Sequence, residues 1–390
     1  MAPSPSTSQP PGGGARHLAF LDVVRGVAIL LVVGFHTLDA GLGIDHLQWN
    51  GWWLDFAHAP WTFVLLLPVS FGWIGVAIFF AVSGFCIHLS YERSPGREWK
   101  AFFLRRFFRI YPPYLLALCF FAFAFPPTRL GGWTLDHLVQ FGSHFLLVHN
   151  VDNRWVVGVN GSFWSIAVEV QLYLLYPLLY LAARRLGWTR ALLLAGGMEV
   201  GLRLGDFWFG VPCWLGASPF NYWLSWAVGA KLADDYLQGR PLLLARWPLA
   251  PFVALTAGSF FIRPLAEFSF LLTALTTVRA IAGCLARPDV PAQPSWLAKW
   301  VGWVGGFSYS LYLIHQPFLK ALSPWLKGMF PGHVLHPMLL FFCGLASCCL
   351  IFPAAWLFCR GVELKSVEWG KRFVQRRSRA KTSVPTAYAG

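Results

Sequence analysis

Residues 18–38 read LAFLDVVRGVAILLVVGFHTL, and the reading of this stretch decides the fold. Crossing the hydrocarbon core of a bilayer takes about 20 mostly apolar residues, and these residues supply them. The run is too long for the core of a signal peptide, carries Arg25 and lacks a small-residue cleavage pattern. It therefore reads as a first membrane-spanning helix. The Pro-, Ser- and Gly-rich residues 1–17 before it read as a disordered cytoplasmic leader.

Working outward, the same criterion finds further spans at Phe71–Ser90, Phe107–Phe125, Ser165–Leu181, Ala191–Phe207, Phe220–Leu237, Trp247–Ile262, Leu265–Ala286, Val304–Leu322 and Pro337–Phe358. The expected fold is all-α: a polytopic integral membrane protein of about ten transmembrane helices, with no separate soluble domain and no internal repeat. Ala191–Phe207 is the most expensive span because it holds Glu199, Arg203 and Asp206. His137–Leu147 is apolar but short, and reads as interfacial or re-entrant.

Charge orients the bundle. Arg93, Arg97, Lys100, Arg105, Arg106 and Arg109 lie between or at the start of the second and third spans; Arg184, Arg185 and Arg190 follow the fourth; Arg240 and Arg246 follow the sixth; Arg287 and Lys299 follow the eighth. The tail adds Arg360, Lys365, Lys371, Arg372, Arg376, Arg377, Arg379 and Lys381. With ten spans, all of these fall on one side. The bias of Lys and Arg toward the cytoplasm then predicts that both termini are cytoplasmic, in a plasma (inner) membrane. The domain plan is a leader (1–17), one transmembrane domain (18–360) and a basic cytoplasmic tail (361–390).

Composition agrees. Hydrophobic residues make up 56% and charged residues 12% of the chain, where soluble proteins carry about 25% charged. The net charge of +14 is spread over loops that face anionic headgroups and a tail, with no basic domain apart from the membrane, so membrane lipids are the expected partner and nucleic acid is not. The eight cysteines lie mostly inside apolar stretches without a CxxC pair, and read as small buried hydrophobes with no disulfide framework or metal site. The 21 tryptophans fit interfacial belts. Trp49, Trp52, Trp53 and Trp155 are exterior, where belt anchoring and stacking on a sugar are both open.

Four clusters carry chemistry. Ionisable residues inside a span are costly and mark function. Arg25 and His36 are eleven residues apart, three turns plus about 20°, so they share a helix face about 16 Å apart in depth. Arg105, Arg106 and Arg109 sit at the mouth of the third span, where planar guanidinium forks suit phosphates, although positive-inside anchoring alone accounts for them. Ser165, Glu169 and Tyr173 fall at i, i+4 and i+8 on one face; Glu169 needs a partner, with Arg25 and His36 as the natural choices. Ser308, Tyr312 and His315 share a further face, which reads as interhelical glue.

Taken together these clusters resemble the membrane acyltransferase-3 family. The resemblance runs from about Leu18 to Phe358 through five motifs in order. These are Leu21-Asp22-x-x-Arg25-Gly26 with His36, Phe79-Phe80-x-x-Ser83-Gly84-Phe85, Arg106-x-x-Arg109-Ile110-x-Pro112, Trp164-Ser165-x-x-x-Glu169-x-x-x-Tyr173, and Ser308-Tyr309-x-x-Tyr312-x-x-His315-x-Pro317. The resemblance implies transfer of an acyl group, acetyl foremost, from cytoplasmic acyl-CoA to a hydroxyl, often of a cell-surface or secreted carbohydrate. It implies His36 as the catalytic residue, and Arg25 with the Arg106/Arg109 pair at the acyl-CoA. Many relatives carry an exterior hydrolase-like domain after the last helix; none is expected here. Physical chemistry fits: CoA phosphates need cations at the cytoplasmic mouth, its pantetheine arm can thread the bundle, and His36 can take the acceptor's proton or be acylated itself. Glu169 then orients His36 or holds Arg25. A transporter or flippase for a polysaccharide or lipid-linked intermediate is the competing class, against which the sequence shows no paired Gly/Pro-broken spans.

Overall fold

The computed structural model describes residues 18–42, 65–125, 128, 130–132, 134–286, 294–329 and 337–382. The leader, the tryptophans at 49, 52 and 53, Arg287 and the last eight residues lie outside the described residues. All regular structure among the described residues is helical. The longer helices are α1 (Ala19–Leu42), α2 (Gly75–Glu92), α3 (Trp99–Cys119), α4 (Leu135–Phe145), α5 (Phe163–Leu186), α6 (Trp188–Phe209) and α7 (Trp223–Gln238). They continue with α8 (Leu249–Ser259), α9 (Ser269–Leu285), α10 (Trp296–Gly306), α11 (Ser308–Gly328), α12 (Pro337–Phe358) and α13 (Leu364–Thr382).

A helix stands at each of the ten expected spans, and the chain is a polytopic α-helical membrane protein. By length and apolarity alone, five helical stretches qualify as crossings, and α8 and α9 are shorter apolar helices. Cross-helix contacts show the spans alternating in direction. Arg25 reaches Cys86 on α2 at 3.1 Å, Tyr176 on α5 meets His88 at 3.0 Å, and Arg203 on α6 reaches the Asn221 carbonyl ahead of α7 at 2.8 Å. The starts of α1, α3 and α6 and the ends of α2, α5 and α7 thus gather at one end, here called the basic end.

One expectation needs adjusting. The ninth span, expected from Val304, begins at Ser308; the backbone leaves helical geometry at Phe307 (φ −119°, ψ 21°) and isolates α10 as a separate helix of 11 residues. The apolar pattern runs through this break because both helices bury apolar faces, so periodicity could not show it. The tail is helical as far as it is described: α13 lies on α3, with the Phe373 ring 5.9 Å from Phe108. The short His137–Leu147 segment corresponds to α4, 11 residues long, about 16 Å and too short to span.

The expensive sixth helix is accommodated by pairing. Arg203 donates to Glu199 at 2.9 Å, and Glu199 also accepts from the Ser225 amide at 2.8 Å and the Ser225 hydroxyl at 2.5 Å. The guanidinium spends its remaining donors on the carbonyls of Glu267 and Asn221. A buried ion pair is tolerable only when its remaining donors and acceptors are also satisfied, and here they are.

Glycine sets how closely the central helices approach. A Cβ on Gly84 would lie 2.0 Å from the Trp226 carbonyl oxygen, and one on Gly229 would lie 2.1 Å from that of Ala81. Backbone cannot yield as a side-chain tip can, so Gly84→Val is expected to abolish the monodisperse peak in size-exclusion chromatography. Gly197→Ala, whose new methyl meets open space, should leave that profile and the melting temperature unchanged or slightly raised.

Candidate active site

The first cavity lies in the half of the bundle toward the basic end and encloses about 820 Å³ of free space, open mouth included. Arg25 from α1, Ser83 and Cys86 from α2, Arg106 and Arg109 from α3, and Ser165, Glu169 and Tyr173 from α5 all line it. The helical spacings read from sequence thus converge on one space. α11 closes the wall with Ser308, Tyr309 and Tyr312.

The cations are held differently. Arg25 pairs with Asp22 at 2.9 Å, one turn earlier, and reaches Cys86 at 3.1 Å. Arg106 donates one nitrogen to Ser90 at 2.8 Å, while its Nε is buried with no partner among the described residues. Arg109 stands 3.9 Å from the buried Glu363 and its side chain is 44% exposed. This leaves donor capacity on Arg106 and Arg109 facing the cavity. Arg105 does not line it; its guanidinium is tied to the Ser94 hydroxyl at 2.5 Å.

Glu169 partners neither Arg25 nor His36. It accepts from Ser83 at 2.8 Å and from the Tyr173 hydroxyl, and Trp226 donates to Ser83 at 3.3 Å. Two hydroxyls thus meet one oxygen of this carboxylate locally, and the i, i+4 spacing to Tyr173 already contained half of that solution.

His36 stands apart from the cavity. Its Nδ1 lies 3.3 Å from Asp39 Oδ2, and its ring centroid is 5.0 Å from that of His315. His315 makes its Nδ1 contacts to the carbonyls of Leu311 and Tyr312, while its Nε2 is buried without a partner among the described residues. Tyr312 bridges the two regions. Its ring lies 5.5 Å from His315, its hydroxyl is 2.6 Å from Ser165, and Phe79 meets it edge-on at 6.1 Å. The α11 cluster that reads as interhelical glue therefore joins the cavity to His36. Asp39 was legible as an i, i+3 neighbour of His36; His315 was not, because only the fold brings α1 and α11 together. Among the described residues, no cluster of three or more His, Cys, Asp or Glu side chains is placed to hold a metal.

An acyltransferase-domain family model, the acyltransferase-3 family, matches residues 18–357. The chain belongs to this family. Among curated proteins it is similar to the peptidoglycan O-acetyltransferase OatA of Listeria monocytogenes, 23% identical over 348 residues covering 80% of this chain and 51% of that protein. It is also similar to the acyltransferase MdmB of Streptomyces mycarofaciens, 28% identical over 291 residues, 67% of this chain and 71% of that one. Nodulation protein 10 of Rhizobium leguminosarum is 30% identical over 163 residues, 37% of this chain and 41% of its own. The chain thus spans about half the length of the Listeria relative. No solved structure matches it significantly.

Cys86 offers a native probe of the cavity. In nanodiscs, a small water-soluble methanethiosulfonate should modify it, and Cys86→Ser should remove that adduct in intact-mass spectra. An adduct pattern identical in the two proteins would mean that water does not reach the cavity wall.

Proposed function

We propose that the chain is a membrane O-acyltransferase that moves an acyl group, acetyl foremost, from acyl-CoA onto a hydroxyl of a carbohydrate acceptor. The supporting observation is the convergence of Arg25, Arg106 and Arg109 on one cavity whose far wall, Tyr312, abuts the His315–His36 pair. In this reading the basic end is cytoplasmic, as the Lys and Arg bias predicts, and the protein sits in the plasma membrane. CoA places its phosphates on the free donors of Arg106 and Arg109, because charge-assisted guanidinium–phosphate bonds are strong and directional. Arg105, engaged with Ser94, serves the mouth of the site at most indirectly. The pantetheine arm extends past Arg25 and Glu169 toward Tyr312, and displacement of the Tyr312–Ser165 hydrogen bond admits the thioester to His36.

Asp39 gives His36 its role. A carboxylate accepting from Nδ1–H holds the imidazole in the tautomer whose Nε2 carries the lone pair. That lone pair takes the proton of the acceptor hydroxyl as its oxygen attacks the thioester carbonyl. The C–S bond then breaks, and the same proton passes to the CoA thiolate. Direct acylation of His36 followed by transfer to the acceptor is the alternative route, distinguished by trapping of labelled acyl-protein in the absence of acceptor. The similarity to proteins named as O-acetyltransferases and acyltransferases supports the reaction class; the donor and the acceptor rest on the cavity chemistry.

Purified protein in lipid should bind acetyl-CoA and slowly hydrolyse its thioester. Arg106→Ala/Arg109→Ala should weaken binding at least tenfold. His36→Ala should keep binding and lose turnover by about 10²–10⁴-fold, the span a positioned base supplies. Asp39→Asn should retain donor affinity and lower the rate. Wild-type turnover in His36→Ala would remove the proposal, and failure to bind any of a small panel of acyl-CoAs would favour a transporter or flippase.

A further inference from the structure

A second cavity opens at the end of the bundle opposite the basic end, with about 1050 Å³ of free space, open mouth included. Its walls come from the turn before α2 (Trp73), the start of α5 (Trp164), the end of α6 (Asp206), the turn before α7 (Asn221, Tyr222) and the turn before α9 (Glu267). Among the sequence features, Trp164 of the fourth motif and two of the charges that make α6 expensive, Arg203 and Asp206, belong to it.

Its chemistry differs from that of the first cavity. Two indoles, Trp73 and Trp164, supply flat apolar faces. Trp73 is 8% exposed and its indole N–H has no partner among the described residues; the Oδ1 of Asn221 is likewise buried and unpartnered. Asp206 uses one carboxylate oxygen to cap the Val211 amide at 2.8 Å. Glu267 adds a second carboxyl to the wall. The Arg203 guanidinium is already committed to Glu199 and two carbonyls. The cavity therefore offers open acceptors, one open donor and aromatic faces, with no free guanidinium fork to recognise a phosphate.

We infer that this cavity binds the carbohydrate acceptor, a neutral hydroxyl-rich ring stacked on Trp73 or Trp164 and hydrogen-bonded by Asn221, Asp206 and Glu267. A hydroxyl both donates and accepts, so one ligand type satisfies the open Asn221 oxygen and the open Trp73 N–H together. An organic cation would suit the carboxylates and rings but would leave the Trp73 donor unpaired. An acyl-CoA phosphate would meet two carboxylates.

The position of the cavity adds weight. Val76 lines both cavities, and Phe80, which lines the first, packs at 5.5 Å against both Tyr222 and Phe270 of the second. One layer of side chains separates them. The connection leading into α5 links the second cavity to the His36 region. Val156, Val157 and Trp164 line the cavity, while Asn160 donates to the Leu313 carbonyl at 2.9 Å and Ser162 to Gln316 at 2.9 Å, beside His315.

This assignment names the acceptor site of the reaction proposed above and rests on that reading for its role, but not for its ligand. The test measures fluorescence anisotropy of labelled N-acetylchitotriose, maltotriose and a galactose trisaccharide with the full chain in nanodiscs, beside acetyl-CoA binding on the same samples. At least one sugar should bind saturably. Asp206→Asn/Glu267→Gln, which keeps shape and the Val211 cap, should weaken it at least tenfold, Trp73→Phe should weaken it severalfold, and acetyl-CoA affinity should stay within twofold. Absence of saturable binding to all three sugars, unchanged affinity in the variants, or displacement of the sugar by choline would overturn the assignment. Sugar binding without acetyl-CoA binding would instead leave the site standing and remove the proposed donor.

Discussion

A charged side chain carried into a helical bundle must find its counterpart there, because lipid supplies neither water nor a counter-ion. Most of this chain's buried charges meet that demand among themselves. Arg203 with Glu199 and Ser225, Asp234 with His88 and Arg240, and Glu363 with Ser310 are closed arrangements that hold helices in place. Some of the exceptions line the cavities. Arg106 keeps a buried nitrogen free, Arg109 faces a distant carboxylate, and the open donor of Trp73 sits with the open acceptor of Asn221 in the other cavity. Other unpartnered buried atoms, on His144, His149 and His315 among them, lie outside both cavities.

The two cavities follow from the same helices. Glycine contacts bring α2 and α7 to backbone distance, which fixes Ser83, Glu169 and Trp226 below the layer and Phe80, Tyr222 and Phe270 within and above it. Packing at that density leaves the layer thin, with Val76 and Phe80 on one side and Tyr312 on the other. In the proposed reaction, a cationic chamber at one end and an acceptor-rich aromatic chamber at the other give each substrate its own approach, and the carboxylates of the second disfavour an anionic donor there. His36, held by Asp39 beside His315, stands at the edge of that layer rather than inside either chamber, so catalysis in this account requires a local movement of Tyr312.

Much of this was legible in the chain. Apolar patterning located a helix at each of the ten expected spans, and five helical stretches are long and apolar enough to cross by those criteria alone. Helical spacing placed Arg25, Arg106, Arg109, Ser165, Glu169 and Tyr173 on faces that do converge. Pairings between helices were not legible. Glu169 found Ser83 rather than a cation, Arg105 turned to Ser94, and His36 found His315, because partner choice across helices depends on rotation and depth that periodicity leaves open. The second cavity was hard to read for the same reason: Trp164 and the charges of α6 stood out in the sequence, and the fold alone brings the other walls to them.

The central claim is that donor and acceptor meet from opposite faces of the membrane, and sided proteoliposomes test it most directly. Acetyl-labelled CoA would be supplied only on the face of the basic end, and N-acetylchitotriose, maltotriose and the galactose trisaccharide only on the other. Labelled sugar should appear on the sugar side and be lost with His36→Ala. Label appearing in sugar only when both substrates share one compartment would contradict it.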